Sequence, residues 1–330
     1  MFGFTIRRLV NLIPTVFFIS ILSYFVIDLA PGNFLTKFEF DPTVDKEMLE
    51  IQAKEFGLDK PWYERYFIWA GNVVSQGDFG FSFAWKQPVL NIFLERLPNT
   101  LLITLPVFIL SWLLAIPIGI FSATHQYSAA DNVFTFFTFL SLSIPNFFFG
   151  LILMFIMVDW LNVSSVGGLF SQQFIGAPWF SGNGFNFGKF NDYLLHLWPP
   201  LVVISTATAA ALMRFMRGTM LDIMNAQYIK TARAKGLIER RVIYKHAFRN
   251  AINPIISIFG QSLPTIVTAG LITSIIFNLP TVERLFFDAL LNLDEYLAMT
   301  ILLFFAMLLV LGNFIADLAL AIVDPRIRYE

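Results

Sequence analysis

Gln227-Tyr-Ile-Lys-Thr-Ala-Arg-Ala-Lys-Gly236-Leu-Ile-Glu-Arg-Arg-Val-Ile-Tyr-Lys-His-Ala-Phe-Arg-Asn250 is the longest basic stretch of this chain, and apolar segments flank it on both sides. A helix-forming, cationic run between two hydrophobic runs belongs at a membrane surface. It fixes both the class of fold and the side of the bilayer to which each loop belongs.

Working outward, 57% of the 330 residues are hydrophobic, 14% are charged, and the mean hydropathy is +0.68. A soluble domain carries roughly 25% charge, so the composition is that of an integral membrane protein. The formal net charge of -1 conveys little, because the charges are segregated along the chain. There are no cysteines, which excludes disulfides, thiolate catalysis and Cys-ligated metal. The three histidines, His125, His196 and His246, are too few and too scattered for a His-based metal site.

A membrane helix needs about 20 mostly apolar residues. Six segments meet this, at 9–29, 99–123, 132–161, 196–213, 254–277 and 298–322. The fold class expected is an all-α polytopic membrane protein with six transmembrane helices. The fourth segment is the weakest, with Pro199 and Pro200 near its start and Ser205, Thr206 and Thr208 within it. Pro145 predicts a kink in the third. The first follows Arg7 and Arg8 as a signal peptide would. Its apolar run is too long for that, and Leu29-Ala30-Pro31 is a poor cleavage site, so it reads as an uncleaved span.

With the N-terminus inside, 13 of the 22 Lys and Arg residues fall on inside segments, nine of them between Arg214 and Arg249. The short outer loops then offer only Lys189 and Arg284. The positive-inside rule therefore places both termini in the cytoplasm. The organisation expected is an N-terminal span over 1–30, a small extracytoplasmic subdomain over 31–98, and a core of five spans over 99–330 with a cytoplasmic loop at about 214–253. Within the first outer loop, Lys46 to Gly57 reads as an amphipathic helix, Pro61 to Val74 as an aromatic-rich one, and Gly77 to Phe83 as a turn. The second outer loop, 162–195, is rich in Gly, Phe, Asn and Ser. Its Gly188-Lys189 pair lacks the spacing of a phosphate-binding loop.

Ion-coupled carriers place ionisable groups inside the membrane, at about 2.5–3.5 kcal/mol each by insertion scales. Here Asp28 and Asp159 lie at segment ends, and Asp317 is the only carboxylate well inside one. Asp317 reads as a gate or relay group or, more in keeping with its place near the cytoplasmic end, as a packing contact. No Gly-x-x-x-x-Gly-Lys-Ser/Thr is present, so ATP hydrolysis within this chain has no support. Uphill transport would draw its energy from a partner.

The basic stretch is where such a partner could dock. Ala232 and Gly236, four apart, would share one small helical face, flanked by Lys230, Arg233 and Lys235, before Gly236 breaks the helix. A second helix would follow, with Arg241, Lys245 and Arg249 in a stripe. By pattern alone the stretch suits a docking element or a cationic loop against lipid headgroups equally.

Thr231-Ala-Arg-Ala-Lys-Gly236, followed by His246-Ala-Phe-Arg-Asn-Ala-Ile-Asn-Pro254, resembles the cytoplasmic coupling motif of binding-protein-dependent ABC importer permeases, most nearly the B-type subunit of the dipeptide/oligopeptide and nickel group. Arg7-Arg8 with Ile13-Pro14, Leu29-Ala30-Pro31-Gly32, Phe56-Gly57-Leu58-Asp59-Lys60-Pro61, Gly77-Asp78-Phe79-Gly80, Glu95-Arg96-Leu97-Pro98-Asn99-Thr100 and Asp324-Pro325-Arg326 extend that resemblance along most of the chain. There are departures: Lys230 stands where the general motif has an acidic residue, Thr231 replaces its first alanine, and the 162–195 loop is longer and richer in Phe and Gly. The resemblance implies a permease subunit in a prokaryotic inner or plasma membrane that is not itself an enzyme. It would pair with a homologous second permease, two ABC ATPase subunits and an extracytoplasmic substrate-binding protein. ATP and Mg would be held by the ATPases, with no cofactor in this chain. Membrane lipid would surround it, and nucleic acid would not be a partner. The resemblance further implies that Tyr228, Thr231, Ala232, Arg233, Ala234, Lys235, Gly236, His246 and Arg249 serve ATPase coupling.

Ser257, Gln261, Thr265 and Thr268 recur on one face of the fifth segment. Ser205 and Thr208 in the fourth, and Ser143 and Asn146 beside Pro145, add uncharged polar groups. Such groups suit a pore for peptides, whose amides need donors and acceptors; they equally suit helix packing through small polar residues. Peptides are the expected cargo, with oligosaccharides or nickel as alternatives within the same class. A self-contained channel or secondary carrier is the alternative from another class, disfavoured by the missing intramembrane charges. A polytopic membrane enzyme would need clustered His, Asp or Glu, which the sequence lacks.

Overall fold

The computed structural model describes residues 2–30, 32–36, 51, 53–54, 59–163, 167–182 and 184–323. Almost all of them are helical. In chain order the elements are α1 (Phe2–Asp28), α2 (Trp62–Gln76), β1 (Phe81–Ser82), β2 (Gln87–Pro88), α3 (Val89–Thr124), α4 (Ala129–Ser143), α5 (Asn146–Phe155), β3 (Phe180–Ser181), β4 (Gly184–Phe185), α6 (Phe187–Met224), α7 (Gln227–Ala234), α8 (Glu239–Ile276), α9 (Val282–Leu291) and α10 (Glu295–Val323). The four strands form two antiparallel hairpins, with Phe81 opposite Pro88 and Phe180 opposite Phe185, so the all-α expectation fails only at two loop tips.

Among the described residues, five helices are long and apolar enough to cross a membrane: α1, α3, α6, α8 and α10. The third sequence segment is instead a pair, α4 and α5 with its trailing π turn, bent by 99°. Proline does this in two ways. It forces the residue before it out of the helical region, and Ile144 is extended at φ -88, ψ 121. Pro145 itself, at φ -58 and ψ 136, caps α5. The expected kink is a complete break.

The long helices overrun the apolar segments that reveal them. α6 begins at Phe187, where the Asn186 side chain accepts from the Lys189 N–H at 2.9 Å, and it runs through Pro199 and Pro200 to Met224. Hydropathy marks only the portion suited to lipid. The helix itself continues into polar sequence, so Lys189 and Asp192 lie on it rather than in a loop, and both, like His196 further along, are mostly buried. Asp192 accepts the Ser171 N–H at 2.8 Å, and its own carbonyl faces His196 Nδ1 at 2.8 Å.

By its internal packing the chain divides into two compact units. One comprises Ile6–Thr100 and Thr281–Val310. Its core joins Tyr24, Tyr66 and Trp69 to Met299 and Leu303, and Val89, Ile92 and Phe93 to α9 and α10. Arg65 is clamped between Asp28 and Glu295, the latter at 2.7 Å. The aromatic helix expected at Pro61–Val74 is α2, ended by Gly77 in the left-handed region at φ 68. The amphipathic helix expected at Lys46–Gly57 lies largely outside the described residues. Asp294 caps α10 from a buried position and accepts from the Ser82 hydroxyl and, at 3.3 Å, the Ala84 N–H.

The other unit comprises Met1–Thr5, Leu101–Pro280 and Leu311–Glu330. Here α6 packs against α4, α5 and α8. Glycines set the closest approaches. A Cβ at Gly119 would lie 2.8 Å from Met216 Cβ, and one at Gly260 would lie 2.6 Å from Asn313 Cα and N, so backbone meets backbone where α8 passes α10. Close approach through small residues is how helices associate where lipid removes the hydrophobic incentive. Near the N-terminus of α4, Asp131 is buried and takes both Arg217 Nε (3.2 Å) and Nη2 (3.0 Å), a forked pair that ties α4 to α6.

Candidate functional site

The basic stretch folds as two helices around one glycine. α7 runs from Gln227 to Ala234 and stops because Gly236 adopts φ 75. The Gly236 N–H donates to Arg233 O at 2.9 Å and the Leu237 N–H to Ala232 O at 3.4 Å. This pairing satisfies the last carbonyls of the helix and demands a left-handed residue at that position. Ala232 and Gly236 therefore do not share a helical face, as the four-residue spacing implied. The helix has already ended, and a Cβ at Gly236 would meet nothing within 4 Å.

Ala232 points inward. With Ile229 it is buried in a core built from Ala115, Ile120 and Ala123 of α3, Met213, Met216 and Met220 of α6, and Val242, Ala247, Ala251 and Ile255 of α8. Burying an Ile side chain is worth about 1.5–3 kcal/mol, enough to hold an eight-residue helix that could not persist alone. Ile229 and Ala232, three apart, are the sequence signal that marks this anchored face.

The opposite face is open. Tyr228, Thr231, Arg233, Ala234, Lys235 and Gly236 are all exposed. Arg233 forks onto Glu239 across the turn, Nη2–Oε1 at 2.6 Å and Nε–Oε2 at 3.2 Å, clamping α7 to the start of α8. With both side chains about half exposed, the clamp fixes geometry and contributes at most about 1 kcal/mol. Asn250 Nδ2 donates to Tyr228 Oη at 2.8 Å. Arg249 Nη2 lies 3.5 Å from the Val323 carbonyl at the end of α10, and His246 is half-buried. Beyond the clamp, Ile238, Arg240, Arg241, Tyr244 and Lys245 line a cationic groove of about 430 Å³. Ile229 and Ala232 thus tie α7 to α3, α6 and α8 in one buried cluster.

The polar candidates separate by exposure. Ser257, Gln261, Thr265 and Thr268 all lie on an exposed strip of α8, with the three hydroxyls bonded back to their own helix. Ser143 is exposed at the break and Asn146 half-buried beside it. Ser205 is buried, its carbonyl accepting from Ser111 of α3 at 3.4 Å, and Thr208 is half-buried with its hydroxyl turned to Ile204 O. Asp317 is half-buried on α10. Among the described residues no three His, Asp or Glu groups are placed to hold a metal ion.

Residues 115–329 match the family described as binding-protein-dependent transport system inner membrane component, and residues 1–104 match the N-terminal family of such membrane components. The chain is 40% identical to the oligopeptide transport system permease protein AppB of Bacillus subtilis (strain 168), over 100% of both chains. It is 31% identical to the oligopeptide permease protein OppB of Haemophilus influenzae, again over 100% of both. The di/tripeptide permease protein DppB of Pseudomonas aeruginosa is likewise 31% identical over 100% of both.

Proposed function

This chain belongs to the family of inner-membrane components of binding-protein-dependent transport systems, and from that premise we propose that it is a peptide permease. It is a multi-pass inner-membrane subunit of an ABC importer for di- or oligopeptides, the cargo named for its full-length relatives. It forms one half of the translocation pathway, beside a homologous second permease. Counting the bent pair α4–α5 as one span gives six, and the Lys and Arg bias supports a topology with both termini and the basic segment in the cytoplasm. Two ATPase subunits hold ATP and Mg, one of them against α7, and an extracytoplasmic binding protein delivers the peptide. This chain carries no cofactor and catalyses no reaction.

The observation that carries this reading is the asymmetry of α7, whose inner face is locked into three long helices while its outer face is free. Such a helix transmits a push. The exposed strip from Ser257 to Thr268 offers uncharged donors and acceptors to backbone amides without trapping any one sequence by charge.

The test is ATP-dependent uptake of radiolabelled di- and oligopeptides by proteoliposomes holding the full complex. Gly236→Trp, which places a large ring on the open face of the turn, is expected to abolish uptake while the complex still assembles. Uptake that survives the substitution would remove α7 as the coupling element. An active ATPase that imports no peptide would redirect the assignment to oligosaccharides or nickel.

A further inference from the structure

From Trp160 to Gly188 the sequence holds no charged residue. The described part of this stretch folds at the end of α6 opposite the basic segment and closes with the β3–β4 hairpin. Three of its most outward side chains are large and apolar: Phe180 is 73% exposed, Phe187 76% and Ile175 63%. The rings touch in series, Phe180 to Phe185 at 5.4 Å, Phe185 to Phe187 at 5.1 Å and Phe185 to Phe190 at 5.8 Å. From there the exposed apolar surface continues down α6 through Phe190 and Leu194, which follow Phe187 at i+3 and i+7 on one face of a membrane-crossing helix.

Asn162, Gln172 and Gln173 are exposed but uncharged, and the flanking charge is turned inward. Lys189, the first charge after the neutral stretch, is buried: its ammonium lies 4.8 Å from the Phe170 ring centroid and 4.7 Å from that of Trp179, and it donates to the Ala177 carbonyl. The Asn186 N–H donates to Trp179 O at 2.9 Å, the Ala177 N–H to Phe174 O at 3.2 Å, and the Gly168 N–H to Phe277 O at 2.8 Å. These bonds satisfy part of the segment's backbone from within, and non-helical chain of this kind keeps to the interface rather than the hydrocarbon region.

We propose that this aromatic hairpin seats in the headgroup–acyl boundary of the leaflet opposite the basic segment, as a membrane-anchored flap. Three observations favour lipid over a soluble protein as its occupant: the uncharged rim, the inward-turned lysine, and the unbroken continuation of the patch onto a membrane span. Aromatic rings are the side chains that gather at that depth, about 5–10 Å into the interface. The flap fixes the first turn of α6 to the bilayer surface, so α6 pivots from that end when its other end is displaced.

The chain has no natural cysteine, so single sites can be labelled cleanly. Phe180→Cys and Phe187→Cys, each carrying a nitroxide, are placed in the full transporter with cysteine-free partner subunits in lipid nanodiscs. Relaxation by oxygen and by the water-soluble complex NiEDDA is compared, with Phe136→Cys on the exposed apolar face of α4 as reference. Both labels are expected to relax faster with oxygen than with NiEDDA, by a smaller ratio than at 136, and the ratio is expected to stay unchanged when binding protein is added. Faster relaxation by NiEDDA, or protection from both reagents by the binding protein or the second permease, would overturn the proposal. Peptide uptake does not enter this readout, so it stands or falls apart from the cargo assignment.

Discussion

Replacing Gly236 by alanine isolates the conformational cost of the α7 turn from everything else at that position. The residue sits at φ 75, and a Cβ there would meet nothing within 4 Å. Packing therefore contributes nothing to the penalty, and only the left-handed backbone does, at about 1–2 kcal/mol for a residue with a Cβ. Asparagine visits that region more readily, so Gly236→Asn should cost less than Gly236→Ala. An increment of 1–2 kcal/mol is a factor of about 5–30 in a local opening equilibrium. Hydrogen exchange of the 227–238 peptide, read by mass spectrometry on the assembled transporter, should show protection falling by that factor in the alanine variant and by less in the asparagine variant. Global melting should scarcely move, because the turn is exposed. Equal losses for alanine and asparagine, or none for alanine, would refute the assignment of the cost to the left-handed turn.

Three further outcomes follow from the packing. Arg217→Met leaves the buried Asp131 carboxylate without its forked partner and should destabilise the chain by about 3 kcal/mol, whereas Asp131→Asn, which removes the charge, should cost less; denaturant titration in detergent compares them. Gly260→Ala forces a methyl to within 2.6 Å of the Asn313 backbone and should cost about 1–3 kcal/mol by overpacking, while Gly218→Ala, with nothing within 4 Å, should be neutral or gain up to about 1 kcal/mol in the same assay. Burial holds the Asp294 carboxyl above its ordinary range, against the hydrogen bonds from Ser82, Ala84 and Leu297 that favour its charge. A raised value means that the stability it contributes is present below the ordinary carboxylate range and is lost as pH rises through the folded value. Asp294→Asn should therefore melt higher than the parent at pH 8, with the gain shrinking as the pH is lowered through the carboxylate range.

What could be read from the sequence was whatever depends on local composition. Runs of Leu, Ile, Phe and Val located the long helices, and Gly77 and Gly236 located their stops, because a missing Cβ acts within one turn. Pro145 announced a disturbance but not its size, since a break of 99° depends on what α4 and α5 pack against. The pairing of Asp131 with Arg217 spans 86 residues and leaves no local trace. Lys189 read as a loop cation; only the rings of Phe170 and Trp179 around it explain why it is buried. α9, with Val282, Leu285 and Ala289 buried along one side, was legible in period but too short to stand out from a loop. The basic stretch is legible by its charge. The orientation of its small residues is not, because spacing places Ala232 and Gly236 together only if the helix continues, and it does not.

Three methionines share the core beneath α7. Met213, Met216 and Met220 of α6 are buried against Ile229 and Ala232, and Met213 Sδ also takes the Thr138 hydroxyl at 3.0 Å. Methionine is unbranched and polarizable, and it refills an irregular space when its neighbours shift. The contact under α7 therefore has three side chains that can change rotamer at constant volume. Leucine at these three sites would nearly keep the volume, whereas isoleucine, branched at Cβ, would take that freedom away and leave a stiffer seat.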